Sequence, residues 1–243
     1  VTRNTVSFYM RILRSVYNKA VGEGIASQRA PFEKVYTGVD KTRKRAVDMA
    51  TIESLRKLDL RGSRSLAYAR DLFVFSFYMR GMAFVDMAYL RKSDVRDQTA
   101  QYIRRKTGQS LCIRLEPCIT EIIRRYARKT KNSPYVFPII AATDENEAYA
   151  QYQNALSYYN KLLKKLSKLL QADTPLSSYV SRHTWATTAR NCDIPLSVIS
   201  AGLGHRSQAT TQIYLASLED SVIDEANRKI IFSLNRPGKT SSL

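Results

Sequence analysis

Tyr214 lies nine residues after His205, at the end of the stretch GHRSQATTQIY. The chain has fifteen tyrosines but only two histidines, His183 and His205, and Arg182 stands directly before the first of them. These side-chain types suit an oxyanion. A guanidinium fork can hold two phosphate oxygens, an imidazole can donate or accept a hydrogen bond, and a phenol, with an ordinary pKa of about 10, needs help to react. The charge balance indicates which oxyanion. Thirty-nine Lys and Arg against 21 Asp and Glu give a net charge of +18 and a pI near 9.9. A polyanion is the expected partner, nucleic acid first among them. A basic protein with no nucleic-acid role is the alternative that composition leaves open.

The elements that must position these residues follow from length and patterning. A chain of 243 residues, 44% hydrophobic, makes one large domain or a domain plus a fragment, with enough apolar residues for a packed core. It begins at Val1, which reads as a piece of a longer protein. No apolar run approaches the roughly 20 residues needed to span a bilayer, and no signal peptide is visible. The three cysteines, Cys112, Cys118 and Cys192, are odd in number and lack metal-ligand spacing. They favour a reducing cytosol and speak against a structural zinc site.

Residues 6–22 place Phe8, Ile12, Val16 and Ala20 four apart with basic residues between them, an amphipathic helix. The polar, basic run 37–46 reads as a linker that can lie on phosphates. Helical periodicity restarts at MATIESLRKL with Thr51 as the expected N-cap. Residues 65–79 form a buried helix, Gly81 interrupts it, and AFVDMAYL continues as helix. AQYIRR and SLCIRL are strand-like and flank KTGQ, which predicts a β-hairpin with Lys106 at its tip. Helices are expected over 118–129 and 148–170, then several short ones over 177–234. Ser177 or Ser178 is the expected cap before Arg182, Pro195 opens the next helix, Gly204 stops it, and Ser207 caps the short helix bearing Tyr214.

The stretch RHTWATTARNCDIPLSVISAGLGHRSQATTQIY resembles the second conserved box of the tyrosine recombinases, the phage-integrase type, with Leu203-Gly204-His205 followed by Thr211 and Tyr214. The resemblance covers roughly residues 45–234 and is most like integrases of mobile elements in the Bacteroides group. It implies an α+β, mainly α-helical catalytic fold with a small antiparallel sheet over 47–243. Before it stand a basic linker at 37–46 and, at 1–36, the end of a helical core-binding domain. It implies a site-specific recombinase in which Tyr214 attacks a DNA phosphodiester and forms a 3′-phosphotyrosyl link. Arg182 and His205 would hold the scissile phosphate and Lys106 would protonate the leaving 5′-oxygen. The implied partner is double-stranded DNA, bound by a homotetramer on synapsed sites; without DNA the implied state is a monomer. No metal, ATP or other cofactor and no membrane is implied, and the location is the bacterial cytosol or nucleoid.

Two departures from the family pattern matter. Tyr179 stands where His-x-x-Arg would place a histidine; a phenol can hydrogen-bond a phosphate but does not shuttle protons near neutral pH as imidazole does. His183 lies about 100° further round the helix and is not expected to replace it. In RGMAFVDMAYL, Ala83 occupies the first catalytic arginine's slot, while Asp86 keeps the acidic one. If 80–83 is helical, Arg80 lies nearly one turn away and supplies the guanidinium. Two alternatives stay open here: a type IB topoisomerase-like nicking and closing enzyme, and a degenerate, non-catalytic DNA-binding protein. The amphipathic tail EDSVIDEANRKIIFSL can dock on a neighbouring protomer or fold back on its own domain.

Overall fold

The computed structural model describes residues 1–40 and 46–205. The chain divides into two compact units, Val1–Arg43 and Lys44–Leu243.

The first unit is built on α1 (Arg3–Gly22), capped by the Thr2 hydroxyl on the Thr5 N–H. The following chain returns along the helix. Tyr17 Oη donates to Ser27 O (2.7 Å) and accepts from Arg29 N (2.8 Å). Asn4 pairs with the Asp40 backbone through both its amide oxygen and its amide nitrogen. Phe8, Ile12 and Val16 stay exposed, as a single helix with one return strap cannot enclose an apolar face.

The second unit contains α2 (Met49–Lys57), α3 (Arg64–Tyr78), α4 (Phe84–Ala88), β1 (Val95–Arg96), β2 (Thr99–Ile103), β3 (Ser110–Arg114), α5 (Pro117–Ala127), α6 (Glu145–Leu169), α7 (Val180–Asn191) and α8 (Leu196–Leu203). The apolar helix α3 lies at the centre and packs against α2, α5, α6 and α7. Phe73 and Phe75 of α3, Leu163 and Leu166 of α6 and Val180 of α7 are fully buried. The antiparallel sheet runs β1-β2-β3, with Ala100 opposite Ile113 and Tyr102 opposite Leu111. All four of these side chains face the core, the period-2 pattern of a one-sided sheet. The result is the mainly helical α+β fold with a small antiparallel sheet that the sequence implies.

Local differences concern ends. Asp48, not Thr51, caps α2: its carboxylate accepts from the Thr51 N–H at 2.7 Å, reaching the N3 donor as N-cap acids do. The helix expected from 148 begins at Glu145 because Asp144 caps it on Glu147 N, so part of the polar loop is an acidic first turn. Neither Ser177 nor Ser178 caps α7. Tyr179 holds the N-cap position with no side-chain capping bond, and the Ser178 N–H is taken by Asn160 Oδ1 at 2.9 Å. Strand β1, two residues long, is too short to show a period in sequence.

Candidate active site

Arg182 sits in the first turn of α7 and is 2% exposed. Its Nη1 donates to Gly81 O at 2.9 Å, and Nη2 donates to Leu203 O and meets His205 Nε2 at 3.1 Å. One guanidinium therefore ties the turn after α3 to the end of α8. A second link fixes α7 on α3. Ser76 Oγ donates its only proton to Met82 O (2.7 Å), so Ser181 Oγ must donate to Ser76 Oγ (2.7 Å).

Glycine is required at position 81 and at position 204, directly after Leu203. Gly81 has φ +70°, and a Cβ there would lie 2.6 Å from Arg182 Cα. Gly204 ends α8 in the left-handed conformation (φ +62°), with its N–H on Ala201 O and the His205 N–H on Ser200 O. A Cβ on Gly204 would meet Leu111 Cδ1 at 3.1 Å and Arg104 Cδ at 3.4 Å. This closure turns the chain so that His205 enters the protein, where it is 7% exposed.

An arginine nitrogen only donates, so His205 Nε2 accepts, and the neutral ring carries its proton on Nδ1. Burial first, and then the charges of Arg182, Arg104 and Lys106, push the His205 pKa down from 6.5 to about 4. Protonation would replace an accepted hydrogen bond by a repulsive contact with Arg182. The folded-state pKa lies below the unfolded one, so between pH 6.5 and 4 the unfolded chain binds more protons and stability falls as pH falls. At most about 3 kcal/mol present at pH 7 is lost by pH 4 through this group. Urea unfolding of wild type and His205→Gln across pH 4–7.5 checks this: the two stability curves should converge toward low pH, and parallel curves would exclude it.

The β2–β3 turn brings the remaining cations. Arg104 N donates to Gln109 O (2.8 Å), and Gly108 (φ +68°) completes the turn. Asp86 of α4 accepts from Arg105 N at 2.9 Å. Its carboxyl is raised above the usual range by burial, opposed by that bond and by the charges of Arg104, Arg182 and Arg105. The Arg105 guanidinium lies over the Tyr89 ring, 3.9 Å from its centroid. Lys106, exposed on the turn, has its charge in reach of His205. Tyr179 sets its ring edge-on to that of His183, with centroids 5.4 Å apart. Tyr214, Thr211, the Ser207 cap and the amphipathic tail lie outside the described residues.

Arg80 needs a correction. Residues 80–83 are not helical: α3 ends at Tyr78, Arg80 and Gly81 have φ of +56° and +70°, and Ala83 is the extended N-cap of α4. The one-turn relation between Arg80 and Ala83 therefore does not exist. Arg80 does share its turn with the Gly81 carbonyl that Arg182 holds, and its charge acts with those of Arg182 and Arg104 on the buried Tyr102 hydroxyl.

The sequence motifs do not point to Arg104, two residues before Lys106. It is 3% exposed, with Nη1 on Gly204 O at 2.8 Å. The signal was present: Ala100 and Tyr102 face inward, and strand alternation continues that face to Arg104.

Among the described residues no helix is long and apolar enough to cross a membrane. The chain is similar in structure to a lambda integrase (75–356) dimer bound to a COC′ core site (16% identity, 84% of this chain and 70% of that one, TM-score 0.62). It is also similar to the Tn1549 transposon integrase in complex with circular intermediate DNA (15% identity, 93% and 79%, TM-score 0.65). A third similar structure is the XerH site-specific recombinase bound to difH substrate (16% identity, 91% and 64%, TM-score 0.61). At these identities the likeness concerns the fold. No curated protein matches the chain by sequence. The phage integrase family model matches residues 47–220, a range that runs from before α2 to beyond Tyr214. The chain belongs to the phage integrase family and is an enzyme of the tyrosine site-specific recombinase class.

Proposed function

We propose that this enzyme cuts and rejoins duplex DNA through a 3′-phosphotyrosyl ester on Tyr214, without ATP or metal. Tyr214 gives up its phenolic proton to water as its oxygen bonds to phosphorus, the bond from phosphorus to the 5′-oxygen breaks, and Lys106 gives that oxygen its proton. The ester keeps the bond energy, so the 5′-hydroxyl of a second strand can reverse the step without an energy source. Arg182 and His205 hold the non-bridging oxygens, where fixed cations stabilise the charge of the pentavalent phosphate. Tyr179 donates a hydrogen bond in the same pocket, and Arg80 adds charge from the turn that Arg182 clamps. The observation that carries this reading is the buried guanidinium of Arg182 set directly against a neutral His205. The net charge of +18, and the core site, circular intermediate DNA and difH substrate bound by the similar proteins, support the partner.

Two strand breaks in each of two duplexes call for four tyrosines, hence a homotetramer on synapsed sites. The working location is the bacterial cytosol or nucleoid, where the DNA lies. The test is covalent capture from a random pool of nicked suicide duplexes, with the modified peptide mapped by mass spectrometry. A DNA adduct on Tyr214 is the expected result. Mapping to another residue refutes the nucleophile, and no adduct leaves a DNA-binding protein without cleavage. Supercoil relaxation by a monomer on unpaired sites would favour the topoisomerase-like outcome instead.

A further inference from the structure

Among the described residues, one edge of the Arg104 guanidinium has no partner. Its side chain is 3% exposed, and among the described residues its one hydrogen bond runs from Nη1 to Gly204 O. Nε is buried with no partner. Nε and Nη2 form the side edge of a guanidinium, two parallel donors that match two oxygens of one anion. Asp86 does not take that edge: it feels the charge of Arg104, but it accepts from the Arg105 backbone and makes no ion pair with Arg104. An arginine buried without a carboxylate and with an unmade N–H is costly in a folded protein. The arrangement is explained when an anion completes it.

The position says which anion. Arg182 donates to Leu203 O and Arg104 to Gly204 O, successive carbonyls of the loop that delivers His205. The charges of Arg182, Arg104 and Lys106 all bear on the His205 ring. We propose that Arg104 binds a non-bridging oxygen of the phosphodiester opposite Arg182 and so supplies the guanidinium that Ala83 cannot. This inference rests on the phosphodiester reading above. It assigns the second buried fork to the β2–β3 hairpin and not to the turn at Arg80.

The test uses the duplex captured by wild-type protein, made with a normal phosphodiester and with an uncharged methylphosphonate at the attacked position. A cation that neutralises a non-bridging oxygen is needed only on the charged substrate. Arg104→Ala is expected to slow adduct formation by roughly 10²–10³-fold on the phosphodiester and to stay within about tenfold of wild type on the methylphosphonate. Arg104→Gln keeps an amide donor for the Gly204 carbonyl and is read the same way if Arg104→Ala does not fold. Equal losses on both substrates would make Arg104 a structural clamp only, and no loss on either would remove it from the site. Arg80→Ala in parallel should lose less than Arg104→Ala on the phosphodiester. If wild type captures no duplex, the recombinase reading fails, and the fork is judged alone by titrating inorganic phosphate. A shift of the arginine Nε–H resonance that is missing in Arg104→Lys supports it; no shift overturns it.

Discussion

Arg182→Lys is expected to lower the rate of covalent-complex formation by roughly 10²–10³-fold while leaving the protein folded. The wild-type guanidinium donates in three directions, to Gly81 O, Leu203 O and His205 Nε2, from a fixed plane. An ammonium keeps the charge, but it is a compact point on a flexible stem and cannot span the two carbonyls. The turn after α3 and the end of α8 then lose their common anchor, and His205 loses the donor that fixes its tautomer. Removing the charge outright is worse. Arg182→Ala leaves two buried carbonyls short of a donor, each costing about 1–3 kcal/mol. Single-turnover rates on the captured duplex, set beside urea unfolding, separate the two effects. A lysine variant that cleaves at the wild-type rate would show that charge alone suffices and that the fork is incidental.

Gly81→Ala should be among the most damaging single-atom additions in the chain. Alanine at φ +70° costs about 1–2 kcal/mol in backbone conformation alone. The new Cβ would also stand 2.6 Å from Arg182 Cα and 2.8 Å from its Cβ and Cγ. Two of these atoms begin the side chain of the central site residue and one is backbone, so neither partner can yield without moving α7. Overpacking of this kind adds typically 1–3 kcal/mol, for a total on the order of 2–5 kcal/mol. Trp185, the single tryptophan, lies on α7 against Gly202 and reports the transition by fluorescence. Gly62→Ala, where a Cβ meets nothing within 4 Å, serves as the control and should shift stability by less than about 0.5 kcal/mol. Equal effects at the two glycines would refute the close approach of the turn to α7.

Much of the fold was legible because its signals are local. The apolar run 65–79, the alternation across AQYIRR and SLCIRL, and the glycine at 204 each follow from which faces a helix or strand must bury or where a chain must turn left-handed. The misplaced helix starts have a local cause too. Several polar residues compete to cap one helix, and only packing decides which backbone N–H each can reach, as Asn160 does for Ser178. The expected one-turn spacing of Arg80 and Ala83 failed for a different reason. The helical reading of 80–83 assumed regular backbone where two successive left-handed residues break it.

By itself the sequence determined the order of the candidate residues along the chain: Arg182 at a helix start, His205 after a helix-ending glycine, Tyr214 nine residues on, and a lysine on a hairpin turn. These are properties of neighbours in sequence, set by period, capping and turn chemistry. Only the tertiary structure decided that Gly81, Arg104 and Gly204 converge on Arg182 and His205. Those contacts join residues about a hundred positions apart, 81 with 182 and 104 with 204. They depend on how α3, α7 and the hairpin share one core, and a periodicity that repeats every two or 3.6 residues carries no information about that meeting. Arg104 shows the division most clearly. Strand alternation says that it points inward, and only the packed loop at Gly204 says what it points toward.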